Sequence, residues 1–313
     1  MKQMKSAFLY TLLVFSLLAC NKDDSEQSTL PTMDEYLQQN ANLSIYSAAI
    51  EKAGLQSFKD GIGPFTWLAP TDDAFKAAGI TLDTINKMTQ GDVNYLVMYH
   101  LINGSVLSID MIAQNSFPRA TQLGTAGVAQ IYLGQNSVAS YVNGSKIIAP
   151  DNMLSNGIIH ILDRVNIPPA KRGNIQNLLT ATGQHTLFIQ ALTKANRWAA
   201  LGTASAFSVV APTDAAMNAA GFNSAFITAA TVPTVDSLVR YHYFNNIRLF
   251  SNDLGTGKET PQTALGPGRT ITALNNGAQL KGKGNASPIN LTRSDILGTN
   301  GLIHIADGVL RFR

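Results

Sequence analysis

Histidine is the residue type in this 313-residue chain best suited to chemistry near neutral pH, and there are five of them. Four recur in matched settings: Tyr99-His100 and Tyr241-His242, then His160 and His304 inside Gly-Ile-Ile-His and Gly-Leu-Ile-His; His185 stands apart. No two are three or four residues apart, the spacing that would place a pair of metal ligands on one helical face. Val93, Leu96, Val97, His100 and Leu101 follow a helical period, as do Val235, Leu238, Val239, His242 and Tyr243, so both Tyr-His histidines fall on apolar faces. Such a buried group is expected to hold a hydrogen-bond partner within the fold. Thr71-Asp72 and Thr213-Asp214 pair a hydroxyl with an acid, but each follows Ala-Pro and precedes a helical pattern, where a capping role is expected. The chain carries no G-x-S-x-G, H-E-x-x-H, phosphate loop, calcium loop or dinucleotide fingerprint. The expectation is a protein with no catalytic residues, no metal site and no cofactor, rather than an enzyme.

The elements that carry these residues occur twice. Phe65-Thr66-Trp67-Leu68-Ala69-Pro70-Thr71-Asp72 returns as Phe207-Ser208-Val209-Val210-Ala211-Pro212-Thr213-Asp214, and Tyr99-His100 as Tyr241-His242, both at an offset of 142 residues. Asn156-Gly157-Ile158-Ile159-His160-Ile161 returns as Asn300-Gly301-Leu302-Ile303-His304-Ile305 at an offset of 144. Solenoid repeats run to about 20–50 residues, so this period signifies duplicated domains. They are placed at 34–168 and 173–313, with the Pro-containing linker 169–172 restricting their relative orientation.

Each copy opens with an amphipathic helix (Leu43, Tyr46, Ile50, Ala53; Phe188, Ala191, Leu192, Ala195). The Phe-to-Pro strand, a short capped helix ending near Gly79 or Gly221, and the Tyr-His helix follow. The remainder of each copy reads as strands, with hairpins expected at Asn143-Gly144 and Asn276-Gly277. Helices followed by a mostly antiparallel sheet is an α+β pattern.

At the N-terminus, Lys2 and Lys5 precede an apolar stretch from Ala7 to Leu18 that ends Leu17-Leu18-Ala19-Cys20. Twelve residues is too short to cross a bilayer and suits a signal peptide, assigned here to 1–19. The ending resembles the lipobox of bacterial lipoproteins, which implies cleavage before Cys20 and lipidation of its thiol. Cys20 is the only cysteine, so disulfides and thiol catalysis are not expected in the mature chain. Residues 20–33 form the lipidated tether, and Lys22, Asp23 and Asp24 resemble an export signal that directs lipoproteins to the outer face of Gram-negative cells. Basic residues exceed acidic ones 23 to 20, and by only 21 to 20 once Lys2 and Lys5 are removed, which withdraws the electrostatic case for nucleic-acid binding.

Taken together, the Phe-Thr-Trp-Leu-Ala-Pro-Thr-Asp block, the Tyr-His pair and the Asn-Gly-x-Ile-His-x-x-Asp close resemble the fasciclin domain family, from about Asp34 to Arg313. Departures are small: Met217 stands where the first copy has Phe75, and Asn246 where it has Gly104. The resemblance implies two tandem domains, each a seven-stranded β-wedge or sandwich with flanking helices, of a kind found in extracellular adhesion and matrix proteins. It also implies candidate partner-binding residues: Tyr99, His100, Tyr241 and His242, and an Asp-Ile pair before the closing block, here Asp295-Ile296-Leu297, which Asp151-Asn152 breaks in the first copy. The expected function is adhesion or binding to an extracellular protein, matrix or glycan, on the outer membrane and facing outward. The alternative is an accessory subunit of an outer-membrane nutrient-uptake complex, with the periplasmic face as its alternative location.

Overall fold

The computed structural model describes residues 30–111, 116–124, 129–203 and 205–313; Cys20, Lys22, Asp23 and Asp24 lie outside them. In the first domain the helices are α1 (Met33–Gln39), α2 (Ser44–Ala53), α3 (Gln56–Lys59), α4 (Asp72–Ala77), α5 (Leu82–Lys87) and α6 (Gln90–Tyr99). Its strands are β1 (Phe65–Pro70), β2 (Leu101–Asn103), β3 (Phe117–Ala120), β4 (Gln130–Gln135), β5 (Ser140–Val142), β6 (Ser145–Leu154) and β7 (Gly157–Leu162). They form one sheet in the order β2-β1-β7-β6-β5-β4-β3. Among the described residues of this sheet only β1 and β7 pair in parallel.

Side chains alternate across a strand, and here both faces of the central strands are covered. Trp67, Ala69, Ile159 and Ile161 pack with Tyr46, Ile50 and Val97 of the helical layer. Leu68 and Leu162 turn the other way, to Tyr99, Ile131, Leu133 and Val142. Double coverage explains why these strands read as continuous apolar runs rather than alternating ones. α2 stops at Gly54, whose φ of +72° suits the left-handed C-terminal position.

The second domain repeats the plan with α7 (Ile175–Ala181), α8 (Thr186–Lys194), α9 (Asp214–Ala219), α10 (Ser224–Ala229) and α11 (Val232–Arg240). Its strands are β8 (Phe207–Pro212), β9 (Tyr243–Asn245), β10 (Ile271–Leu274), β11 (Gln279–Gly282), β12 (Ile289–Gly298) and β13 (Gly301–Ala306). The sheet order is β10-β11-β12-β13-β8-β9, with β8 and β13 parallel. At the edge where the first domain has β3, the second has the single bridge Glu259–Thr272. Between the domains, Pro169–Lys171 forms a 3₁₀ turn on which Pro169 is buried.

Three local expectations change. The Tyr-His helices end sooner than the apolar pattern: α6 stops at Tyr99, His100 is its C-terminal cap and Leu101 already belongs to β2. α11 likewise ends at Arg240, with Tyr243 in β9. The pattern runs on because the chain stays buried as it turns from helix into strand. Asn143-Gly144, at φ +50° and +76°, is a two-residue hairpin turn between β5 and β6, whose flanking residues Val142 and Ser145 pair. Asn276-Gly277 lies one hairpin earlier in its domain, in a 3₁₀ turn joining β10 to β11, and so does not correspond to Asn143-Gly144. Finally, α1, α5, α7 and α10 are helices the periodicity does not reveal; α5 and α10 each bury one side chain, Ile85 and Ile227.

Candidate functional site

Both Tyr-His pairs belong to the core, with no more than 1% exposure at any of the four residues. His100 Nδ1 donates to the Leu96 carbonyl at 2.9 Å, and its Nε2 accepts from the Asn166 amide at 3.1 Å. His242 does the same with the Leu238 carbonyl and the Leu310 amide, at 2.9 and 3.0 Å. Each ring therefore ties the end of a helix to the segment that follows the closing strand. Burial lowers both histidines to about 4, so both are neutral at physiological pH. Tyr99 and Tyr241 donate to the Gln130 and Thr270 carbonyls at 2.8 and 2.7 Å. The implied role of Tyr99, His100, Tyr241 and His242 as partner contacts is thus corrected: a partner cannot reach them in the folded chain.

The closing-strand histidines share a second arrangement. His160 Nε2 lies 2.8 Å from the Val106 carbonyl, and its Nδ1 accepts from the Asp151 amide at 3.1 Å. His304 bonds the Leu249 carbonyl at 2.9 Å and accepts from the Asp295 amide at 3.3 Å. Asp151 and Asp295 have φ of +57° and +62° and sit where the register of the last hairpin shifts, in β-bulges. The bulge aims each carboxylate at the serine that opens the 3₁₀ turn following β2 or β9. Asp151 accepts from Ser108 N at 2.8 Å and from its hydroxyl; Asp295 accepts from Ser251 N at 2.7 Å and Oγ at 2.5 Å.

The Thr-Asp pairs are caps, as their sequence position suggests. Thr71 and Thr213 accept from the Ala74 and Ala216 amides at 3.1 and 3.2 Å. The aspartates cap a different helix: Asp72 accepts from Ile45 N and Ser44 Oγ at the start of α2, and Asp214 from Leu187 N and Thr186 Oγ1 at the start of α8. His185 holds the Pro212 carbonyl at 2.9 Å. Among the described residues no group of three metal-binding side chains occurs.

Asp295, Ile296 and Leu297 lie at the junction of the two domains. Arg164, from the first domain, donates to the Gly144 carbonyl within its own domain, and across the junction to the Ser294 carbonyl and to Asp295 Oδ2, each at 3.3 Å. Asp253, from the second, accepts from Ser116 N at 3.0 Å and Oγ at 2.9 Å, while also accepting from Phe250 N at 3.0 Å. Burial pushes Asp253 up to about 6, opposed by the Ser116 hydrogen bonds. Tyr132 and Phe250 approach to 5.4 Å between ring centroids, beside Leu297 and Leu302. Ile296 turns towards the helical core of the second domain. The Asp-Ile-Leu segment is therefore engaged by the neighbouring domain instead of standing as a free recognition motif. Sequence reading did not find Arg164 or Asp253. One signal was present: Asp163-Arg164 and Asp307-Gly308 follow the two closing strands, and only the first supplies a cation.

The junction encloses a cleft of about 640 Å³ between the β5–β6 turn, the segment after β7 and the bulge of β12. Among the described residues no helix is long and apolar enough to cross a membrane.

A family model for the fasciclin domain matches residues 41–168 and again 183–312. Stabilin-2 of Mus musculus is 24% identical over 279 residues, covering 86% of this chain and 10% of that protein. The transforming growth factor-beta-induced protein ig-h3 of Sus scrofa is 23% identical over 291 residues, covering 91% of this chain and 39% of that protein. Protein sll1483 of Synechocystis sp. is 30% identical over 140 residues, 44% of this chain and 74% of its own. The chain thus spans a small part of the long animal relatives and matches most of the short cyanobacterial one through a single domain's length. Among solved structures, a FAS1 domain pair from the insect cell adhesion molecule Fasciclin I covers 88% of this chain at 18% identity, with a TM-score of 0.41.

Proposed function

The chain belongs to the fasciclin domain family, and on that premise we propose that it is a non-enzymatic adhesion protein, a fixed pair of domains that binds an extracellular protein or glycan. It is held at the outer membrane by a lipid on Cys20 and displayed outward through Lys22, Asp23 and Asp24. The observation that carries the reading is the matched use of the motif residues. In both domains the histidines, the capping aspartates and the bulge aspartates hold main chain to main chain, so recognition falls to outer faces and to the cleft between domains. Two modules in one body offer an extended surface, the arrangement expected where several weak contacts act together.

Protease treatment of intact cells tests the placement. Wild type is expected to be shaved, a variant altered at Lys22, Asp23 and Asp24 protected, and Cys20→Ser released from the membrane. Protection of the wild type until the outer membrane is broken overturns outward display. Recovery of a stoichiometric transporter on co-purification would replace adhesion by the accessory-subunit reading.

A further inference from the structure

The cleft at the domain junction is charged in a lopsided way. Lys146, Arg164, Arg172 and Arg293 line it, against Asp163 and Asp295. Asp295 is already occupied, both oxygens accepting from Ser251 and one also from Arg164. Asp163 accepts from the Lys146 amide at 2.8 Å. Among the described residues Arg164 is the one arginine of the three with a carboxylate in ion-pair range. Arg172 and Arg293 face each other's charge without such a partner, and Arg172 is half-buried. Burial first, then the charge of Arg293, lowers Arg172 to about 10, which leaves it cationic at neutral pH. Like charges gathered in a partly desolvated cleft repel, and an anion between them removes that repulsion.

A second observation points the same way. Asn166 lines the cleft and is 5% exposed, and its buried Nδ2 has no acceptor, although its Oδ1 accepts from Ser145 Oγ at 2.9 Å. Buried donors are rarely left so, and an acceptor in the cleft would complete it. Two guanidinium forks and an amide form a donor set suited to a planar or tetrahedral oxyanion. The volume of about 640 Å³ lies within the ~300–1,000 Å³ of small-molecule sites, far more than one ion fills. Tyr141, also on the lining, adds an aromatic face and a hydroxyl.

We propose that the interdomain cleft is the binding site for an acidic sugar, whose carboxylate or sulfate lies between Arg172 and Arg293 and accepts from Asn166. The assignment names a ligand class for the adhesion role above and rests on that reading. It requires both domains, because Arg172 and Asn166 come from the first domain and its linker and Arg293 from the second.

The test is calorimetric titration of the whole chain, in detergent micelles at low salt, with a disaccharide carrying one uronate and one sulfate, its uncharged counterpart, and sodium sulfate. The acidic disaccharide is expected to bind, the uncharged one not, and sulfate to compete. Arg293→Gln, an exposed change that leaves the fold intact, is expected to lower affinity at least tenfold. Arg172→Gln is expected to do the same and Arg172→Lys to fall between, with melting temperatures unchanged. Lys87→Gln, far from the cleft in sequence and on α5, controls for general charge. Equal binding of the two disaccharides, no loss with Arg293→Gln, or an equal loss with Lys87→Gln overturns the proposal. Attachment of whole cells separates the two readings: attachment that persists without acidic-sugar binding removes the cleft assignment alone, and sugar binding without attachment removes adhesion alone.

Discussion

Asp151 and Asp295 occupy the same bulge in successive domains, make the same bonds to a serine and a histidine, and share a left-handed backbone, yet they live in different surroundings. The Asp151 side chain is 33% exposed and that of Asp295 is fully covered, because the second faces Arg164 of the neighbouring domain. The loop beneath repeats the contrast. Asp110 caps its own turn through the Leu107 amide, whereas Asp253 caps Phe250 and also grips Ser116 across the junction. Ile109, 80% exposed, stands where the second domain has Asn252 at 4%. A clasp that each domain needs for itself has, in one copy, become part of the joint. What differs is the partner, supplied at Arg164 and Ser116, more than the clasp.

The sharpest way to break this comparison is to remove the two carboxylates separately. Asp295→Ala leaves the covered Ser251 amide and hydroxyl without their acceptor and removes an ion pair whose Arg164 side is 41% exposed, and is expected to cost about 2–3 kcal/mol. Asp151→Ala, solvent-accessible on one side, is expected to cost about 1–2 kcal/mol. Denaturant unfolding measures both, and equal losses would mean the junction adds nothing. The histidines test the opposite idea, that the domains are equivalent inside. His100 and His242 sit at about 4 when folded, below the ordinary histidine value, so the unfolded chain binds more protons between about pH 6.5 and 4. Stability is therefore complete above about 6.5 and falls with acidification, by about 2 kcal/mol per histidine at pH 5. His100→Gln and His242→Gln are each expected to flatten the pH dependence of the melting temperature by a similar amount.

Asp253 runs the other way. Its folded value of about 6 exceeds the ordinary carboxylate value, so it imposes a penalty present above pH 6 that disappears as the group protonates on acidification. Asp253→Asn is expected to relieve on the order of 1–2 kcal/mol at pH 7 and little at pH 4, allowing for its partial exposure. Thermal melts at the two pH values check it, and an equal effect at both would contradict the assignment. Smallest is the cap. Thr71→Ala and Thr213→Ala are each expected to cost about 1 kcal/mol, alike in the two domains, because the bonds they lose are alike.

Much of each domain was legible because it obeys local rules. Thr71 and Thr213 cap where a hydroxyl before a helix should, and the closing strands, covered on both faces, read as apolar runs. His100 could be placed in the core because it continues an apolar period. What escaped depends on contacts far apart in sequence. Asp72 looks like a cap for its own helix and instead serves α2, 27 residues away. Asp295 looks like a recognition motif until Arg164, 131 residues earlier, is seen against it. The short helices escaped for a different reason: with one buried side chain, neither α5 nor α10 can display a period.

The parallel pairing of first and last strands has a mechanical meaning. The Pro31 carbonyl accepts from Ser155 N, beside the turn that opens β7, and the chain leaves the first domain just past the opposite end of that strand. A pull between Pro31 and the second domain is directed along β7, so its ladders with β1 and β6 are loaded in shear, many bonds at once, instead of being peeled one by one. Unfolding under such a load is set by the height of a barrier rather than by equilibrium stability, and a ladder sheared along its length presents a high one.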